Sequence, residues 1–171
     1  KPYFMFFCPG AVHSPIHAPK QWIDKFKGQY DFGWDVYHEL AFKKQKQMGL
    51  IPAHADLTPR PKEIPAWESQ SKMAKTVYAR QAEAVAGYLA HTAHHIGRLL
   101  DHARSLPDGD ELIGFYITGD RGASPEGTMA GTDNNMLTQN GLTVNLEDQY
   151  KVLDELGGPE HEYHYGVPWS W

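Results

Sequence analysis

Apolar positions along the chain fall into two short unbroken runs and one long periodic stretch. Tyr3 to Cys8 is continuously apolar and aromatic, the pattern of a strand covered on both faces, and Pro9-Gly10 ends it. Leu112 to Thr118 is a second run of the same kind, stopped by Gly119-Asp120-Arg121-Gly122. Between Ser71 and Leu106, Val77, Gln81, Ala84, Val85, Tyr88, Thr92, Ile96, Leu99, Leu100 and Ala103 recur at helical spacing and predict a long amphipathic helix. Ser69 or Ser71 can cap its start, and Pro107 with Gly109 closes it. Shorter helical patterns cover Lys20 to Phe26, Gly33 to Met48, and Leu146 to Leu156, the last stopped by Gly157-Gly158-Pro159.

The remaining segments read as connections. Residues 11–21 carry two prolines and two histidines, which makes a loop with little backbone freedom. Leu50 to Trp67 holds four prolines and no sustained period, as expected of an extended surface crossing. After Ser124 the chain is rich in Gly, Asn, Thr and Pro, and its last segment, "HEYHYGVPWSW", is aromatic and irregular.

The order strand, helices, strand is a crossover unit, and it predicts an α/β fold with two parallel strands in a covered sheet. In such sheets ligands gather beyond the carboxyl ends of the strands. The Pro9–Lys20 loop and the Gly119–Ser124 turn lie at those ends, so His13 and Asp120 are expected on one edge of the sheet.

Composition narrows the function classes. At 171 residues and 19.3 kDa the chain is long enough for one domain with a real core. A net charge of -5 excludes the basic footprint that nucleic-acid binding needs. Its apolar runs are too short for a membrane span. The single cysteine, Cys8, excludes an internal disulfide and, at the end of an apolar run, reads as a buried, inert thiol. Ten histidines and five tryptophans hint at a site without specifying one.

Three groups of residues carry candidate chemistry. Asp120 is a carboxylate at a strand end flanked by glycines, where backbone can approach an ion closely and a hard oxygen suits calcium or magnesium. The competing reading is an aspartate capping the following turn. His13 sits in His13-Ser14-Pro15, a stiffened loop that suits general acid/base work or an anion contact; the plainer reading is a loop histidine satisfied by backbone. His91, His95 and His102 can share a helix face, but no glutamate follows His91 as in a metalloprotease helix, and no cysteine assists. The surface-helix reading is therefore taken for them, and His161 and His164 carry still less information.

The stretches "KPYFMFFCPGAVHSPIHAPKQWIDKFKGQYDFGWD", "TPRPKEIPAWES", "YARQAEAVAGYLAHTAHHIGRLLD", "IGFYITGDRGASPEG" and "LGGPEHEYHYGVPWSW" resemble the central part of a bacterial arylsulfatase. The resemblance runs along almost the whole chain in order. The His-x-Pro loop before a Pro-Lys helix start, and the strand ending in Gly-Asp-x-Gly-Ala, are its most specific parts. It implies the alkaline-phosphatase-like α/β sandwich, with a mainly parallel sheet covered by helices. It implies hydrolysis of a small-molecule sulfate ester by a formylglycine made within a Cys/Ser-x-Pro-x-Arg motif, assisted by calcium rather than magnesium. By the same resemblance His13 matches the histidine that contacts the nucleophile or the sulfate, and Asp120 matches a calcium ligand.

The chain departs from the family pattern in three places. No Cys/Ser-x-Pro-x-Arg occurs: Cys8 is followed directly by Pro9, and Thr58-Pro59-Arg60 has the wrong residue and spacing. Arg121 stands where an asparagine ligand is usual, and a guanidinium has no acceptor atom with which to ligate calcium, although it can donate to a sulfate. The family's substrate-facing lysine falls beyond Trp171. Residues 1–171 are thus expected to be an incomplete central part of a catalytic domain, with the nucleophile upstream and further catalytic residues downstream. The same fold with a phosphate or phosphonate ester as substrate, or a non-catalytic sulfatase-like binding protein, are the alternatives. Family members occur in cytoplasm, periplasm and outside the cell, so no compartment is implied.

Overall fold

Trp169, near the end of the chain, joins two clusters of buried side chains, each of which includes residues of one long helix. A computed structural model describes residues 3–119, 124 and 126–171. The long helix, α3, runs Lys72–Ser105. Before it come α1 (Lys20–Ile23), continued by a 3-10 turn at Asp24–Phe26, and α2 (Gly33–Gln47). Two short helices follow, α4 (Asn135–Gln139) and α5 (Leu146–Lys151). Among the described residues no helix is long and apolar enough to cross a membrane.

The start of α3 is chemically plain. Ser71, extended, accepts a hydrogen bond on Oγ from the Ala74 amide at 3.1 Å, which satisfies one of the donors a helix start leaves open. In its first half Ala74, Val77 to Ala84 and Gly87 are buried, and its second half emerges into solvent. Gly87 lets α1 cross closely, because a Cβ there would lie 2.6 Å from the Ile23 Cα.

The first cluster packs Ile16, Ala18, Ile23, Ala84, Leu156, Tyr163 and Tyr165. The second packs Trp34, Ile64, Trp67, Ala74, Tyr78 and Ala79. Trp169 touches both; its indole meets Tyr30, Trp34, Tyr37 and Trp67 at 5.7–6.0 Å between ring centroids, and its Nε1 donates to the Tyr78 carbonyl at 2.9 Å. The aromatic segment that reads as irregular from sequence is thus a core element. Burial of such large rings is the main apolar contribution available to the fold.

Several expectations are corrected. Tyr3 to Cys8 and Leu112 to Thr118 are not strands in a ladder; among the described residues the only β pairings are isolated bridges at Thr132–His164 and Asn134–Glu162. Phe4 is 91 % exposed and Ile117 89 %, because an apolar run becomes a buried strand only where neighbours satisfy its backbone and cover its faces. Cys8 is exposed for the same reason, rather than a buried thiol. The Leu50 to Trp67 crossing is not wholly superficial, since Ile64 and Trp67 anchor it in the second cluster. The last helix ends at Lys151, short of the expected Leu156.

Candidate functional site

The loop that carries His13 is held at its far end. Ile16 is fully buried, its amide donates to the Tyr163 carbonyl at 3.0 Å, and the Ala18 amide donates to the Gly157 carbonyl at 2.9 Å. The Ser14–Pro15 peptide is cis, and Ser14 Oγ accepts from Asn135 Nδ2 at 3.1 Å. Upstream, the His13 amide donates to the Gly10 carbonyl at 2.8 Å. With both shoulders fixed, the exposed imidazole stands at the rim of the molecule.

The ring has one committed nitrogen and one open one. His13 Nδ1–H donates to the Ser14 carbonyl at 2.7 Å, which leaves Nε2 facing Glu126 Oε2 at 3.5 Å. Glu126 is a residue that the sequence reading passed over, and it lies six positions beyond Asp120 in the chain. Its amide donates to Ser124 Oγ at 3.4 Å, and the Ser124 carbonyl accepts from Tyr165 O–H at 2.6 Å. Burial pushes the Tyr165 phenol well above its ordinary range, so it stays a donor. Asp120 and Arg121, the expected metal and sulfate contacts, lie outside the described residues.

Behind His13 and Glu126 lies a fully buried imidazole. His164 pairs with Thr132 through both backbone groups at 2.8 Å, and its Nδ1 donates to the Tyr165 carbonyl at 3.1 Å. Its Nε2 is buried with no hydrogen-bond partner. Burial, with a smaller push from His13, lowers the His164 pKa against the opposing pull of the Tyr165 carbonyl and Glu126. A histidine between two buried tyrosines, Tyr163 and Tyr165, was the available signal for this position, but the pattern alone does not separate core from site.

Gln81 of α3 ties the three segments together. Its Nε2 donates to the Ala130 carbonyl and to Gln149 Oε1, each at 2.8 Å, and its Oε1 accepts from the Gly166 amide at 2.9 Å. Gly131, at φ +70°, passes so close that a Cβ there would lie 2.4 Å from Gln81 Nε2.

A pH effect follows from His164. Its folded pKa lies below the unfolded value of about 6.5, so as pH falls the unfolded chain takes up the proton first. The neutral imidazole's contribution is therefore intact above about pH 6.5 and is lost as pH falls toward the folded pKa, by at most about 1.4 kcal/mol per pH unit. Urea unfolding of the wild type and His164→Gln from pH 7 to 5 should show a shallower loss in the variant. Equal slopes in the two proteins would exclude His164 as a source.

Among the described residues no group of three or more His, Cys, Asp or Glu side chains is disposed to hold a metal ion. Calcium takes six to eight oxygen ligands, so the described residues do not assemble a calcium site. On the helix, His91 and His95 do come together, with Nε2 atoms 3.0 Å apart.

A sulfatase family model matches residues 1–168 of the chain. An uncharacterized sulfatase of Schizosaccharomyces pombe is 28% identical over 124 residues, which cover 71% of this chain and 22% of that protein. An arylsulfatase of Klebsiella aerogenes is 29% identical over 130 residues, covering 73% of this chain and 26% of that protein. The chain therefore spans about a quarter of the length of these curated relatives.

Proposed function

The chain belongs to the sulfatase family, whose fold is the alkaline-phosphatase-like α/β architecture, and from that premise we propose that it forms part of the catalytic domain of an arylsulfatase-type sulfuric ester hydrolase. The observation that supports this reading is the approach of His13 Nε2 to Glu126, in the segment that begins with Asp120. A carboxylate that holds a cation and a histidine loop tied down by hydrogen bonds on both sides suit a site for an anionic ester.

In this reading His13 works through Nε2. Its Nδ1–H is engaged by the Ser14 carbonyl, which fixes the ring and leaves Nε2 to donate to a sulfate or leaving-group oxygen when protonated, or to accept a proton when neutral. Asp120 provides one hard oxygen ligand for calcium, with further ligands supplied from outside residues 1–171. Arg121 donates to sulfate oxygens and takes no part in ligation. A formylglycine nucleophile and a calcium ion would supply, respectively, attack on sulfur and compensation of charge on the sulfate oxygens.

The reading carries a test on two proteins. Residues 1–171 alone should release no sulfate from 4-nitrophenyl sulfate, whereas the whole protein that contains them should turn the ester over. Turnover by the 171-residue chain would show that it holds its own nucleophile, and no turnover by the whole protein would end the hydrolase reading. Arg121 in the usual asparagine position favours one other reading, a non-catalytic sulfatase-like binding protein. A gain in calcium affinity in whole-protein Arg121→Asn is the result by which that reading differs.

A further inference from the structure

The emergent half of α3 carries a feature that the proposed chemistry does not use. His91 and His95 stand one turn apart, a spacing that places side chains side by side on a helix. Trp22 of α1 packs edge-on against His91 at 5.5 Å and lies 5.1 Å from His94, while Lys25 Nζ sits over the Trp22 ring, 3.3 Å from its centroid. That packing restricts the His91 ring. The His95 ring meets it at 82°, with Nε2 to Nε2 at 3.0 Å.

We propose that His91 and His95 form a two-nitrogen chelate for a divalent transition-metal ion of the copper class. Two metal–imidazole bonds of about 2.0–2.1 Å at right angles place their nitrogens about 2.9 Å apart. The 3.0 Å between the hydrogen-bonded nitrogens matches the edge of a tetragonal site, the geometry copper(II) and nickel(II) favour, so an ion replacing the shared proton needs little movement of either ring. No third protein ligand joins them among the described residues, so the other positions belong to water, unlike a closed four-ligand zinc site. Copper(II) heads the affinity order for such a nitrogen pair.

The hydrogen bonds define what the ion replaces. Arg98 has donors only, and its Nη1 lies 2.9 Å from His95 Nδ1, so that nitrogen accepts. His95 then carries its proton on Nε2 and donates it to His91 Nε2. On metal binding this proton is exchanged for one at Nδ1, both imidazoles ligate as neutral rings, and the exposed Arg98 gives up its contact. No net proton is released by the pair.

The probe is copper(II) chloride added to the 171-residue chain at neutral pH. Trp22 beside His91 makes tryptophan fluorescence the reporter, and electron paramagnetic resonance reports nitrogen ligation. One equivalent should quench part of the emission and give a tetragonal nitrogen spectrum. Loss of either arm of a chelate removes its high effective concentration, so His91→Ala and His95→Gln should each weaken binding about a hundredfold or more. His102→Ala, which leaves the pair intact, should bind as the wild type does. Absence of one-equivalent binding, or affinity unchanged in His91→Ala and His95→Gln, would overturn the proposal.

Discussion

Replacing His13 by alanine in the whole protein is expected to lower kcat/KM for an aryl sulfate by about 10²–10⁴-fold, the range that a positioned acid/base group contributes. The fold should be indifferent to the change. The side chain is 65% exposed, and its contacts are the neighbouring Ser14 carbonyl and Glu126. The loop is held by Ile16, Ser14 and backbone bonds that alanine leaves in place. Unchanged urea unfolding together with the kinetic loss would mark a residue that touches substrate. A loss smaller than about tenfold, outside the range expected of such a group, would remove His13 from the reaction.

The second large effect is on stability. Gln81→Leu has nearly the right volume but removes a buried amide that serves the Ala130 carbonyl, Gln149 and the Gly166 amide. Each orphaned buried group costs about 1–3 kcal/mol, and Gln149 still bonds Ala130 and Gly131, so a total of about 3–5 kcal/mol is expected. That is a large share of a typical domain's stability of about 5–15 kcal/mol. The midpoint of urea unfolding measures it. A change below about 1 kcal/mol would mean that the leucine packs well enough to offset the lost bonds, and that Gln81 is not the tie between α3 and the C-terminal segments.

Local periodicity made α3 readable, because its apolar stripe, its Ser71 cap and its Pro107 stop are all set by neighbours within a few turns. Lys20 to Phe26 and Gly33 to Met48 were readable for the same reason. Gln81 fell on the apolar stripe of α3, yet no local rule says that a stripe glutamine is a three-way tie. The runs Tyr3 to Cys8 and Leu112 to Thr118 look like strands because their composition is strand-like, but a ladder is a property of two segments, and their partners are not among the described residues. Exposed Cys8 follows from that alone. The burial of Tyr163, His164 and Tyr165 and the packing of half-buried Trp169 were hidden because they depend on contacts with α1, α2 and α3, which no sequence spacing encodes.

Of the two residues that the sequence singled out, His13 lies among the described residues and Asp120 outside them. His13 and Asp120 stood out by residue type, loop stiffness and family resemblance. Glu126 did not, because its meeting with His13 joins positions more than a hundred residues apart. His164 shows the opposite difficulty: it is chemically suggestive in type, yet its full burial is a packing fact that only the structure supplies.

The hydrolysis assay tests the central claim most directly when run as a comparison. The whole protein would be given 4-nitrophenyl sulfate and 4-nitrophenyl phosphate side by side, with free sulfate and free phosphate measured. A sulfuric ester hydrolase built on His13 and Asp120 should release sulfate faster than phosphate, and its sulfate release should fall about 10²–10⁴-fold when His13 is replaced. Release of phosphate alone, with the sulfate ester left intact, would contradict it.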